Sequence, residues 1–226
     1  NFKTPFQLWL ANEKMASTVH ADKEQLNQYF SMIKKSPKGT MIMGYSGFLN
    51  YLGKHISQLP GNDNTFSKGH IKSIVASSEV LTPQDRSLLQ NVFNAPVFTQ
   101  YGCMEFGILA SQFEKENSDY MINLASFHIE ILDFERNVPV EDGARGRIVV
   151  TDITNRAMPF IRYDTGDIGS IERRIVNGRS VPVLASVEGR KNDLIYDTQG
   201  NMMHGLFLHN CLHISDDFHN ILQYQF

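Results

Sequence analysis

Three short segments carry residue types at spacings suited to chemistry. The first is Tyr101-Gly102-Cys103-Met104-Glu105. A tyrosine ring there offers a flat face for a base to stack on, and Gly102 lets a ligand approach the main chain. Glu105 supplies a carboxylate of the kind that binds magnesium. The second segment, Pro159 to Gly169, reads PFIRYDTGDIG and places Asp164 and Asp167 among β-favouring residues. The third is Glu188-Gly189-Arg190-Lys191-Asn192-Asp193, where the planar fork of Arg190 suits a pair of oxygens such as vicinal ribose hydroxyls. Gly189 and the polar run around it read as a linker from the β-rich part to a new element. Read singly, each segment has a plainer alternative: a strand-end corner with a solvated glutamate, a hairpin turn, a surface arginine on a turn.

Asp-Thr-Gly also opens the aspartic-protease signature. Such a site needs an apolar approach and a second aspartate sharing one proton. Arg162 and Tyr163 precede Asp164 instead, and no second Asp-Thr-Gly exists in the chain. A guanidinium beside the pair would hold both carboxylates ionised. Protease chemistry is excluded on these grounds.

The elements that must position these residues change character along the chain. Asp22 to Ser36 has Leu26, Tyr29, Phe30 and Ile33 at helical spacing, with Asp22 as cap and Pro37 as stop. Thr40–Gly44 reads as a strand. Ser46–Gln58 reads as a helix with Leu49, Leu52 and Ile56 inward. Ile71–Ala76 is a second strand, running into the corner Ser77-Ser78-Glu79. Thr82-Pro83 starts a third helix, with Leu88, Leu89, Val92 and Phe93 on its apolar face, and Pro96–Gln100 is a third strand. This alternation argues for a parallel sheet with flanking helices, and ligands bind such sheets beyond the strands' carboxyl ends. Ser78, Glu79, Tyr101, Gly102 and Glu105 stand at two such ends.

From about residue 119 the pattern becomes short and β-rich. Strands are expected near 120–132, 146–154, 158–163, 168–175 and 181–188, with turn signals at Glu141-Asp142-Gly143 and Asn177-Gly178. The predicted class is α/β, with a small antiparallel β subdomain attached and the start of a mobile α+β C-terminal domain after it. The corresponding divisions are 1–118, 119–188 and 189–226.

The chain has 226 residues, is 42% hydrophobic and carries a formal net charge of −3, so no basic footprint points to nucleic acid. No apolar run reaches the roughly 18 residues of a membrane span. Cys103 and Cys211 form no Cys-x-x-Cys motif. Reduced thiols favour the cytoplasm. His204, His209 and His213 lack a flanking zinc motif and are read as ordinary histidines.

Taken together, Tyr-Gly-x-x-Glu, then Arg-Tyr-x-Thr-Gly-Asp, then Gly-Arg-x-x-Asp, in this order, resemble the adenylate-forming superfamily. The likeness is to its phenylacetate-CoA ligase and CapK capsule-biosynthesis branch, and covers roughly residues 40 to 226. SSEVLTPQDRSLLQNVF ahead of the tyrosine motif and the closing ILQYQF are similar to that branch. The resemblance implies that Tyr101 stacks on adenine, with Ser78 and Glu79 lining the same pocket. It implies that Glu105 holds magnesium near the α-phosphate and acts catalytically there. It implies that Asp167 accepts hydrogen bonds from both ribose hydroxyls, aided by Arg190, while Asp164 and Arg162 pair or brace the turn. Asn192 falls at the hinge of the mobile domain. The implied reaction activates a carboxylic acid with ATP as an acyl-AMP and passes it to coenzyme A. The partners are then small molecules, and a homodimer is allowed.

The departures are specific. The glycine-rich Ser/Thr loop that wraps the β- and γ-phosphates in the family is not found, nor is the C-terminal lysine segment. Met104 stands where relatives often carry a phosphate-contacting threonine, and Asn192 where Asp or Lys is common. The expectation is a truncated chain that is inactive alone. The alternative is a degenerate, non-catalytic CapK-like protein of capsular polysaccharide biosynthesis. Phe98 and Phe106 hint at an aromatic or apolar acid, but core packing accounts for both.

Overall fold

A computed structural model describes residues 11–18, 21–61, 66–113 and 119–190, with the backbone of 194–196 and 202–204. Asn192, Cys211, His209 and His213 lie outside the described residues. The chain forms two compact units, residues 1–76 with 81–97, and residues 77–80 with 98–226.

The first unit alternates helices and strands in the order α1 (Lys23–Lys34), β1 (Thr40–Tyr45), α2 (Ser46–Ser57), β2 (Ile71–Ser77) and α3 (Pro83–Phe93), and ends at the start of β3 (Val97–Cys103). Local chemistry sets the helix starts. Asp22 accepts the Gln25 N–H at 2.8 Å, and Thr82 accepts the Asp85 N–H at 3.1 Å ahead of Pro83. Each satisfies a donor that the first helical turn leaves orphaned. β1 and β2 are neighbours, and their starts lie side by side, with the Thr40 N–H on the His70 carbonyl. That placement is the one a helical crossover between parallel strands produces. The core is Leu26 and Ile33 of α1, Leu49, Leu52 and Ile56 of α2, Leu89 and Phe93 of α3, and Ile71 and Ile74 of β2. Phe66 seals it, stacked on Phe93 at 5.4 Å and edge-on to Phe30 at 6.0 Å. Fully burying each such side chain stabilises the fold by about 1.5–3 kcal/mol.

The second unit is a sheet in the order β3, β4 (Gly107–Ser111), β5 (Tyr120–Ile122), β9 (Arg179–Arg190), β8 (Tyr163–Val176), β7 (Gly146–Asp152) and β6 (Phe127–Leu132). All these pairings are antiparallel. β8 and β9 are joined by Asn177 and Gly178 at φ 50° and 75°, the doubly positive pair that a two-residue hairpin requires. The inner face buries Leu109, Ile122, Ile129, Ile131, Ile148, Val150 and Leu184. Backbone hydrogen bonding also pairs β10 (Leu194–Tyr196) with β11 (Met202–His204) in a separate two-stranded sheet. The architecture is of the α/β class.

Three local expectations are corrected. β3 does not end at Gln100 but continues to Cys103, turns through Met104–Phe106, and returns as β4. Residues 158–162 are not a strand. There the Asp152 carboxylate accepts the Thr154 and Asn155 N–H groups, and the Asn155 side chain accepts the Met158 N–H. These local bonds compete with the ladder, and Pro159 offers it no donor. Glu188–Arg190 is not a linker: β9 stays paired with β8 through Ile168↔Gly189 and Asp167↔Arg190.

Candidate functional site

Asp167 owes its position to an interruption in β8. Against β7, Asp164 pairs with Val149 and Ile168 with Arg147, so Thr165, Gly166 and Asp167 stand opposite Ile148 alone. Side chains hold this bulge in shape. The Asp164 carboxylate accepts the Gly166 N–H at 3.0 Å, where φ is 76°. Thr165 donates its hydroxyl to the Ile148 carbonyl at 3.0 Å and accepts the Asp167 N–H at 3.1 Å. The Arg147 guanidinium binds Asp164 in turn, and also the Asp133 carbonyl at 2.9 Å and the Asn137 side chain at 2.9 Å. Bulges of this kind re-aim a side chain out of the ladder's alternation.

Asp164 therefore braces the turn, as expected, while Arg162 does not pair with it. Arg162 reaches β6 instead, gripping both oxygens of Glu130 at 3.0 and 3.2 Å. Arg162 lies just ahead of β8 and faces Glu130, while Asp164 lies within β8 beside Arg147, so the two pair with different partners.

Tyr101 enters from β3 and donates its hydroxyl to Asp167 Oδ2 at 2.8 Å, with Thr165 Oγ1 at 3.3 Å. Its residue is only 7% exposed and belongs to the buried cluster with Leu109 and Ile148. The Tyr101 ring is thus largely enclosed by its own cluster, and its polar contacts are made through the hydroxyl. Burial first, and then the Asp167 charge, push the phenol well above the usual tyrosine range. The folded chain consequently keeps the Tyr101 proton where the unfolded chain loses it. That stability is complete below the unfolded value of about 10 and fades as pH rises through the folded value. Urea unfolding between pH 8 and 11 should show a steeper alkaline loss of stability in the parent than in Tyr101→Phe. Equal slopes would deny the phenol this protected state.

Arg190 ends β9 directly across from Asp167, with its side chain exposed. Glu105 lies at the tip of the β3–β4 hairpin, exposed between Met104 and Phe106. Tyr163 donates to Glu105 Oε1 at 2.8 Å. That bond is the foremost cause holding the Glu105 carboxyl below its usual range; the glutamate's own N–H, the Cys103 thiol and the Arg190 charge act in the same direction. Glu105 thus stays ionised. Gly102 has a steric reason of its own: a Cβ there would stand 2.1 Å from the Gly107 carbonyl oxygen across the hairpin.

Tyr101, Glu105, Asp167 and Arg190 are brought together, and Gly102 sits in the same hairpin. Ser78 and Glu79 form an exposed corner after β2 within the same unit, with Ser78 at φ 72°. Sequence reasoning missed Tyr163. Its signal was its place in the Arg-Tyr-x-Thr-Gly-Asp run, but nothing local shows a partner 58 positions away. No group of three or more His, Cys, Asp or Glu side chains suited to a metal occurs among the described residues. A cavity of about 270 Å³, lined by residues such as Ile129, Val140, Ile171 and Pro182, includes none of the predicted site residues.

No family model matches the chain. Among curated proteins, CapK of Staphylococcus aureus is 23% identical over 218 residues, 95% of this chain and 45% of CapK. Phenylacetate-coenzyme A ligase of Aromatoleum evansii is 35% identical over 69 residues, 30% of this chain and 15% of that enzyme. Among solved structures, 2-hydroxyisobutyryl-CoA ligase in the postadenylation state with R3-HIB-AMP matches 92% of the chain and 44% of its own length. Its TM-score is 0.75 at 16% identity. ATP-bound MatB from Rhodopseudomonas palustris matches 84% and 38%, with a TM-score of 0.62 at 17% identity. The chain spans less than half the length of each of these relatives.

Proposed function

Given that this chain is a relative of the adenylate-forming ligases and carries their fold, we propose that it forms part of an ATP-dependent ligase. That enzyme activates a carboxylic acid as an acyl-adenylate and passes the acyl group to coenzyme A. The observation that carries the reading is the junction of three sequence-distant segments at Asp167. Tyr101 holds the carboxylate from one side, and Arg190 stands across from it on the neighbouring strand.

In this reading Asp167 accepts hydrogen bonds from the two ribose hydroxyls. Bonds of that charge-assisted type contribute about 1.5–3 kcal/mol each. Arg190 adds donors to the same sugar. Ser78, Glu79 and Gly102 line the nucleotide, and Asn192 serves as the hinge. The acid's carboxylate oxygen attacks the α-phosphorus of ATP and pyrophosphate leaves. The coenzyme A thiol then attacks the acyl carbon, and AMP leaves with the mixed-anhydride oxygen. Positioning and charge neutralisation are the protein's main contributions to such a transfer.

A magnesium ion fits the donor set at Glu105. The carboxylate is exposed and held ionised, with the Tyr163 hydroxyl on Oε1 and the Cys103 thiol a weaker donor, and its remaining lone pairs could take the cation. Phosphate oxygens and water would supply its remaining ligands. Bound there, the ion would neutralise charge on the transferring phosphoryl group. Among the described residues no helix is long and apolar enough to cross a membrane. In this reading the enzyme is cytoplasmic and its partners are small molecules.

Met104 favours a second reading, a degenerate CapK-like protein of capsular polysaccharide biosynthesis. Its side chain is 99% exposed at the hairpin tip beside Glu105 and offers no hydrogen bond to a phosphate. Pyrophosphate exchange into ATP with a panel of carboxylic acids, with and without coenzyme A, separates the two. Measured on the full-length protein, acid-dependent exchange is expected for the ligase. Nucleotide binding with no exchange for any acid would favour the degenerate protein.

A further inference from the structure

The β3–β4 hairpin tip has little to fix it. Met104 faces solvent, and the turn's backbone bond, Phe106 N–H to the Cys103 carbonyl, is long at 3.4 Å. What anchors the tip is the residue after Glu105. Phe106 is wedged edge-on against Phe127 at 5.8 Å, Phe160 at 5.2 Å and Tyr163 at 5.5 Å. Phe160 and Tyr163 also meet edge-on, at 5.2 Å. These contacts hold the Tyr163 ring on two sides and so fix the direction of its hydroxyl.

That hydroxyl meets Glu105 Oε1 at 2.8 Å. Tyr163 begins β8, the strand whose bulge carries Asp167 four residues later. The geometry points to Tyr163 as a positioning residue: it ties the hairpin-tip carboxylate to the Asp167 strand, setting the separation of the phosphate-side acid from the ribose-side acid. The Cys103 thiol is a second, weaker donor to the same carboxylate. The inference rests on the nucleotide-binding reading of this site.

The test is a double-mutant cycle on the 226-residue chain, read by calorimetric affinity for magnesium-ATP and, without metal, for AMP. Tyr163→Phe keeps the ring in its aromatic cluster and removes only the hydroxyl. It should weaken magnesium-ATP binding about tenfold, as loss of a hydrogen bond to a charged group does, and leave metal-free AMP within about twofold. In the Glu105→Gln background the same change should cost nothing further, because its effect passes through that carboxylate. An equal loss in both backgrounds would mean that Tyr163 acts as general structure and would overturn the proposal. So would Tyr163→Phe binding magnesium-ATP as the parent does. Failure of the parent to bind either nucleotide removes the nucleotide reading, and this role with it. Binding that Asp167→Ala abolishes, with no coupling between Tyr163 and Glu105, removes this role alone.

Discussion

Replacing Asp167 by alanine is expected to weaken AMP binding by at least a hundredfold. Two charge-assisted hydrogen bonds to ribose, each worth about 1.5–3 kcal/mol, would be lost together. The cost to folding is smaller but not zero. Asp167 is half-buried and accepts the buried Tyr101 hydroxyl, so alanine would leave that hydroxyl with only the 3.3 Å contact to Thr165. An unsatisfied buried donor costs about 1–3 kcal/mol. For a chain of this size each kcal/mol lowers the melting temperature by roughly 2–4 °C. Calorimetry and thermal unfolding on the same preparation separate the two effects. Parent-like affinity in a folded Asp167→Ala protein would remove the carboxylate from the site.

The second large effect is expected at Gly102. The substituted Cβ would meet the Gly107 carbonyl oxygen at 2.1 Å, its carbonyl carbon at 2.9 Å and Ile108 Cα at 3.0 Å. All three are main-chain atoms, which cannot rotate away as a side chain would. The hairpin must spread at the Tyr101/Gly102 register shift, loosening both Tyr101 and the tip that carries Glu105. Backbone overpacking of this sort costs on the order of 3 kcal/mol. Gly102→Ala should therefore lower the melting temperature by about 6–12 °C. A melting temperature within a degree of the parent would contradict the close approach of the two strands.

The contrast between these positions shows what the sequence could convey. The first unit was legible because its signals are local. Asp22 and Thr82 cap helices three residues ahead of them, and Leu49, Leu52 and Ile56 recur at helical spacing. The Asn177-Gly178 turn was legible for the same reason. The strand at Gly107–Ser111 was missed because the preceding turn is built by a glycine contact across the hairpin. The continuation of β9 to Arg190 was hidden by its polar composition: Glu188 is held there by an ion pair with Arg145, 43 positions away, rather than by an apolar face.

The site follows the same division. Motif residues pointed to Tyr101, Glu105, Asp167 and Arg190, but the bonds that join them span long stretches of chain. Tyr101 and Asp167 are 66 positions apart. The bulge that presents Asp167 depends on Thr165 reaching the Ile148 carbonyl and on Arg147 gripping Asp164. The tyrosine's hydroxyl, rather than its ring face, turned out to be its visible contact, since spacing alone does not reveal which side of a β3 residue is buried.

A crystal structure of the chain with AMP bound decides the role of Asp167. Both ribose hydroxyls should lie within about 3.2 Å of its carboxylate, the reach of a hydrogen bond, with the Arg190 guanidinium beside the same sugar. A nucleotide seated elsewhere, with Asp167 held by Tyr101 and touching no ribose, would contradict it.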